Sequence, residues 1–186
     1  MMIELRQLEE KDAPLMLEWM HDKEIQKFFR KDMSKICLED AQKFCRDAKV
    51  YSELKDGDDR HFAIVDERDE YLGTISLKNF ELTDATAEYA ISLRKKAHGK
   101  GIAYSATKLL LKKAFDEYDL NRVYLNVLAN NESAIRLYER SGFVYEGNFR
   151  NHLKNGSGEY VDLKWYGLLA TEFRNSMEKD NAKNNA

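Results

Sequence analysis

Six residues near the middle of the chain, His98-Gly99-Lys100-Gly101-Ile102-Ala103, could bind a phosphate. They follow a strand-like run over 87–93. After them Ala106, Leu109, Leu110, Ala114, Phe115 and Tyr118 recur at helical three- and four-residue spacing. Two glycines and a lysine therefore stand where a strand turns into a helix. The first turn of a helix has backbone N–H groups without partners and carries the positive end of the macrodipole. Glycine lets a phosphate come close to those amides, and Lys100 adds a full charge. The same six residues also read as a glycine-softened turn with a solvated lysine, and both readings stay open on this stretch alone. A dinucleotide fingerprint fits poorly, because Tyr104 stands where a third glycine is wanted. A Walker loop fits poorly too, because Gly101 is followed by Ile102.

A candidate base lies on the strand just before. By alternation Glu88, Ala90 and Ser92 share one sheet face, and Tyr89, Ile91 and Leu93 share the other. An acid among small residues suits a site beside an acceptor; it equally suits an ordinary exposed glutamate. Cys37 and Cys45 stand in no pattern that would make either a nucleophile, and read as a reduced, half-buried pair. His21, His61, His98 and His152 lack metal-ligand spacing, so no metal is expected. The stretch Lys55-Asp56-Gly57-Asp58-Asp59 reads as a solvated turn, or as an acidic surface for a cationic substrate.

The elements that must position these groups follow from periodicity. A strand is expected over 3–8. Helices follow: one after Asp12 with Pro14 near its start, a short one over 24–29, and one over 38–54. Strands at 61–65 and 71–77 form a hairpin, and a third ends at Leu93. After the glycine loop and its helix come a strand over 122–128 and a helix from Asn131 through Arg140. Gly142 stands at its end, and strands over 143–149 and 160–169 follow across Asn155-Gly156-Ser157-Gly158. Residues 1–170 are expected to form a single domain, and the polar tail 171–186 to fray. Strand runs with inserted helices imply an α/β (α+β) fold, a mixed sheet with helices packed on it. At 186 residues the chain can build one real core. Its net charge is −3 with no long basic run, which argues against a nucleic-acid partner. No apolar run could span a membrane and no secretory signal is visible, so a cytoplasmic location is expected.

A second motif, Asn131-Glu132-Ser133-Ala134-Ile135-Arg136-Leu137-Tyr138-Glu139-Arg140-Ser141-Gly142-Phe143, changes the weight of the first. Together they resemble the GNAT superfamily of acetyl-CoA-dependent N-acetyltransferases. The family loop Gln/Arg-x-x-Gly-x-Gly/Ala is met as His98-x-x-Gly101-x-Ala103, departing at its first position. The family's Asn-x-x-Ala-x-x-x-Tyr-x-x-x-Gly-Phe is matched in full. The resemblance covers roughly residues 2–170. It is nearest to the branch containing ribosomal-protein N-terminal, sugar-nucleotide and polyamine acetyltransferases, through Trp19, Asp22 and Glu24 and through Asn155-Gly156 with Glu159-Tyr160-Val161-Asp162.

The resemblance implies a mostly antiparallel sheet of about seven strands, splayed between the strand ending at Leu93 and the strand starting at Arg122. Pantetheine amides would pair with backbone near Ser92, Leu93 and Arg94. The pyrophosphate would rest on the amides of Gly99, Lys100, Gly101, Ile102 and Ala103, with His98 able to donate to a phosphate. Asn131 would hydrogen-bond the pantetheine arm. Tyr138 would be general acid to the sulfur, where without the motif it would read as a packing residue; Glu88 would be the base. Some protein N-terminal acetyltransferases carry a glutamate where this chain has Asn126. The implied activity is acetyl transfer from acetyl-CoA to a primary amine by direct attack in a ternary complex. The alternative is a non-catalytic acyl-CoA-binding or sensing domain. A homodimer is left open.

Overall fold

A computed structural model describes residues 2–29, 32–48, 53–155 and 158–184, with side chains as far as Glu178. The strands are β1 (Ile3–Gln7), β2 (Arg60–Asp66), β3 (Tyr71–Glu81), β4 (Thr86–Leu93), β5 (Arg122–Leu128), β6 (Val144–Lys154) and β7 (Tyr160–Leu169). The helices are α1 (Ala13–Met20), α2 (Lys23–Gln26), α3 (Leu38–Asp47), α4 (Ile102–Lys112), α5 (Glu132–Ser141) and α6 (Ala170–Asn184). One seven-stranded sheet runs β1-β2-β3-β4-β5-β7-β6. All its pairs are antiparallel except β4 with β5. This is the expected mixed α/β fold.

The parallel pair is where the sheet opens. β4 and β5 pair only over Thr86↔Arg122, Ala87↔Val123 and Glu88↔Tyr124, and then diverge. On its other side β4 stays paired with β3 up to Gly73↔Leu93. Beyond Glu88, then, one edge of β4 has no neighbouring strand. Gly73 fixes how close β3 comes to this end of β4: a side-chain carbon there would stand 2.3 Å from the Ser92 carbonyl oxygen.

Alternation along the central strands gives the sheet two buried faces. Ala87, Tyr89, Leu93, Val123, Leu125 and Val127 belong to the larger core, with Ala106 and Leu110 of α4 and Tyr138 of α5. The smaller core joins Met16 and Trp19 of α1 and Ala41 and Cys45 of α3 to Ala63, Val65 and Tyr71. The Trp19 indole donates to the Tyr71 hydroxyl at 3.0 Å, tying α1 to β3. Among the described residues no helix is long and apolar enough to cross a membrane.

Several boundaries differ from expectation. The tail does not fray at Thr171; α6 runs to Asn184. Ala170 and Phe173 are buried, and the Phe173 ring packs 5.2 Å from that of Phe115. Phe173 and Met177, four apart, give the helix an apolar side that the Asn- and Lys-rich composition hid. α2 is one turn, and α3 ends at Asp47. Residues 49–52 of the helix expected there, and Gly156 and Ser157 of the expected loop, lie outside the described residues. β3 and β6 run further than alternation suggested, each through an irregularity. The one in β3 falls between Lys78 and Glu81 and holds Asn79 in the left-handed region at φ 49°.

Candidate active site

The glycine loop forms because its two glycines take backbone that other residues resist. Gly99 has φ 71° and Gly101 has φ 75°, and Gly101 is the residue from which α4 starts. No described residue accepts a hydrogen bond from the backbone N–H groups of Gly99, Lys100, Gly101, Ile102 or Ala103. Five donors, two of them in the first turn of α4, are therefore free in one short arc. Such an arc can hold an anion. Lys100 is exposed and stands outside the cleft lining.

The cleft below the loop has a volume of about 760 Å³. Ser92, Leu93, His98, Gly99, Gly101 and Asn131 all line it, as do Glu88 and Tyr138. Ten of the twelve expected site residues thus surround one space, since Ile102 and Ala103 line it as well. Its walls are the diverging β4 and β5, which makes the opened sheet and the cleft one feature.

One expectation is corrected, and a second residue has part of its side chain committed elsewhere. Arg94 does not offer its backbone N–H to a ligand, because that group donates to the Leu72 carbonyl at 2.9 Å. Its buried guanidinium bonds both oxygens of Glu18 at 2.8 Å and Glu70 at 2.9 Å. It is a strut between α1 and the end of β4. His98 is also differently used. Its Nε2 lies 3.3 Å from the Leu93 carbonyl, so that nitrogen carries the proton and donates inward. Its backbone N–H bonds the Lys95 carbonyl. Nδ1 is the ring nitrogen left without a partner among the described residues.

Asn131 does two jobs. It is the N-cap of α5, its Oδ1 accepting from the Ala134 N–H at 3.3 Å and from the Ser133 hydroxyl at 3.1 Å. Its amide nitrogen has no acceptor among the described residues and belongs to a side chain that lines the cleft. Tyr138, near the other end of α5, is buried between Tyr89 and Phe143, with ring centroids 5.7 and 6.0 Å away. Its hydroxyl has no hydrogen-bond partner among the described residues, although the residue lines the cleft. Burial pushes its pKa up to about 12, so the proton stays on at neutral pH.

Glu88 comes to the gap from the other side of the sheet. Tyr89, its neighbour, is in the core beneath Tyr138, so Glu88 points to the opposite face. One carboxylate oxygen accepts from the Asn126 amide at 3.0 Å and the other from the Asn79 amide at 2.9 Å. Asp22, Glu24, Phe28 and Phe29, in and around α2, line the same cleft. Sequence reasoning missed Phe28 and Phe29 as cleft residues and missed Asn79 altogether. The first two could have been found from an apolar pair next to a short helix; Asn79 depends on a bulge that leaves no local pattern.

The sequence profile of the acetyltransferase (GNAT) domain matches residues 3–144. The chain belongs to that family. Among its relatives, the spermidine N(1)-acetyltransferase of Vibrio cholerae is 29% identical over 125 residues, covering 67% of this chain and 72% of that one. The putative ribosomal N-acetyltransferase YdaF of Bacillus subtilis is 38% identical over 101 residues, 54% of this chain and 55% of that one. A solved structure of the Vibrio cholerae spermidine N-acetyltransferase, in complex with CoA and spermine, superposes with a TM-score of 0.80 at 23% identity, covering 92% of this chain and 97% of that one. Within the GNAT family, acetyl-CoA is the co-substrate. The open edge of β4 and the loop amides without acceptors are backbone groups of the kind such a donor can use. The described residues hold no cluster of side chains suited to a metal.

Proposed function

We propose that this N-acetyltransferase moves the acetyl group of acetyl-CoA to a primary amine of a small aliphatic cation, by direct attack while donor and acceptor are both bound. The observation that carries this reading is the placing of Glu88 and Tyr138 on opposite sides of the same opened gap. Pantetheine lies along the free edge of β4, beside Ser92 and Leu93, and Asn131 donates to it. The pyrophosphate sits on the amides from Gly99 to Ala103. The thioester then lies between the Tyr138 hydroxyl and the Glu88 carboxylate.

Each group has a defined task. A lysine-type amine has a pKa of about 10.4, so fewer than roughly one in a thousand is neutral at pH 7. Glu88, held as an acceptor by two amides, takes the proton, directly or through one water. The neutral nitrogen attacks the thioester carbonyl, the C–S bond breaks, and Tyr138 protonates the leaving sulfur. Neither cysteine takes part. Cys45 is buried beside Met16, with its thiol pushed up to about 11 by burial, and Cys37 lies outside the cleft lining.

Asp22, Glu24 and Glu88 give the acceptor end an acidic lining, softened by Lys27, which pairs with Glu24 at 2.6 Å. This favours a cation such as a polyamine over the N-terminus of a protein. The names of the relatives point to both classes, so the direct test is a screen. Release of CoA thiol should be measured with spermidine, with amino-sugar nucleotides and with peptides bearing free N-termini. Turnover with spermidine alone supports the reading, and turnover only with peptides replaces the acceptor. Acetyl-CoA binding without turnover on any amine would make this a sensing domain.

The base assignment makes its own prediction. Glu88→Gln keeps the side chain's size and its bond from one amide, but cannot take a proton. Turnover at neutral pH should fall, and the deficit should shrink as pH rises toward about 10, where the amine loses its own proton. A deficit that is flat across pH would mean Glu88 orients the acceptor instead. Full activity would make it an ordinary strand residue.

A further inference from the structure

We infer that Asn79 is a positioning residue for acetyl transfer: from a left-handed bulge in β3, braced by Asp59, its amide holds one oxygen of Glu88 in reach of the acceptor. This rests on the reading of Glu88 as the base. The backbone at Asn79 is at φ 49°, where asparagine is among the few non-glycine residues tolerated. Its backbone N–H donates to Asp59 Oδ1 at 2.9 Å. Its side-chain amide donates to Glu88 Oε2 at 2.9 Å. Asp59 is itself placed: its other oxygen lies 3.5 Å from His61 Nε2, and His61 Nδ1 lies 2.7 Å from the hydroxyl of buried Ser76. A chain of polar contacts thus leads from buried Ser76, through His61, Asp59 and Asn79, to the candidate base.

The bulge is what makes this possible. In regular pairing Lys78 stands opposite Glu88, and the next paired residue is Glu81 with Thr86. The irregularity between them turns Asn79 toward Glu88 from the β3 side. Asn126 reaches it from β5. With an amide on each oxygen, the carboxylate plane is fixed from both neighbouring strands. Both amides donate, one to each carboxylate oxygen, and so fix the direction in which the remaining lone pairs point.

A turn residue chosen only for its backbone would behave differently from a positioning residue, and two substitutions separate them. Asn79→Gly keeps the left-handed backbone without strain and removes the amide. Asn79→Asp keeps the shape but places a second carboxylate against Glu88. Other charges also face Glu88: Lys78 on β3, Tyr124 opposite it on β5, and Asp22, Glu24 and Lys27 across the cleft. Glu81 lies near enough to Tyr124 to act on its phenol, and Asp59 and His61 lie behind Asn79. None of them changes in either variant, so a difference from wild type reports on Asn79.

The experiment follows the Glu88 carboxyl carbon by ¹³C NMR through an acid titration of wild type and Asn79→Asp, with Glu88→Gln identifying the resonance. The midpoint should rise by roughly one pH unit in Asn79→Asp, as expected for a like charge in contact. An unchanged midpoint overturns the inference. In parallel, Asn79→Gly should lose about tenfold in kcat with spermidine while its KM for acetyl-CoA stays put. Thermal unfolding should show it folded as wild type. Wild-type kcat in Asn79→Gly beside a crippled Glu88→Gln overturns the positioning role and leaves the base standing. Wild-type kcat in Glu88→Gln removes the base and this inference with it.

Discussion

Tyr138→Phe should lower turnover by roughly ten- to a thousandfold, equivalent to about 1.4–4 kcal/mol of transition-state stabilisation, while acetyl-CoA affinity should barely move. The substitution keeps the ring that packs edge-on against Tyr89 and Phe143, so the core around α5 stays intact. It deletes a hydroxyl that bonds to no described group and is held protonated by its surroundings. Only a group that the protein leaves unused can be removed without structural cost, so a large kinetic effect would have to arise from the reaction. The reaction offers an internal control. A thioester whose thiol has a lower pKa needs less help to leave, so the wild-type-to-variant ratio should narrow with such a donor. Rates should be compared at saturating acceptor. If Tyr138→Phe turns over like wild type, Tyr138 is a packing residue and the sulfur leaves unassisted.

Gly101→Val should weaken acetyl-CoA binding by about ten- to a hundredfold, the loss of one or two bonds to a charged phosphate. Valine resists the left-handed backbone that Gly101 adopts at the start of α4, so the loop must rearrange and the amides lose their common direction. That strain also costs about 1–2 kcal/mol of stability, which could be mistaken for a binding effect. Gly57→Val supplies the control. Gly57 has φ +80° in the loop before β2, away from the cleft, and a side-chain carbon there would likewise meet nothing within 4 Å. Both variants should unfold at lower temperature, and calorimetry should find the affinity loss in Gly101→Val alone. Equal affinity in the two would show that the free amides do not bind the donor.

What could be read from the sequence was what is local. The glycine loop, the cap at Asn131 and the tyrosine seven residues on are fixed by residue type and helical spacing within a few turns, and the structure sets them around one cleft. The face that carries Glu88 followed from alternation. What could not be read depends on pairing across strands. Arg94 loses its backbone N–H to Leu72 because β3 is in one register and not another. Asn79 meets Glu88 because of an irregularity in β3, and a bulge of this kind has no signature in a run of eleven strand residues. The C-terminal helix failed for a different reason. Its polar composition outweighed two apolar side chains, Phe173 and Met177, whose partners lie far away in sequence.

The free arc of amides and the open edge of β4 have one more consequence, which concerns the end of the catalytic cycle. On the proposed reading they contact the pyrophosphate and the pantetheine arm, and those parts are chemically identical before and after the reaction. Binding of that kind is uniform: it holds the loaded donor and the spent one alike and cannot by itself distinguish them. Only the few atoms of the acetyl group, near Tyr138 and Glu88, change. The spent carrier is therefore a natural occupant of the cleft. The rate at which the enzyme works in a mixture is set by the ratio of loaded to spent carrier as much as by the amount of either. On that reading, a sheet opened to take in the donor also makes the enzyme respond to that ratio.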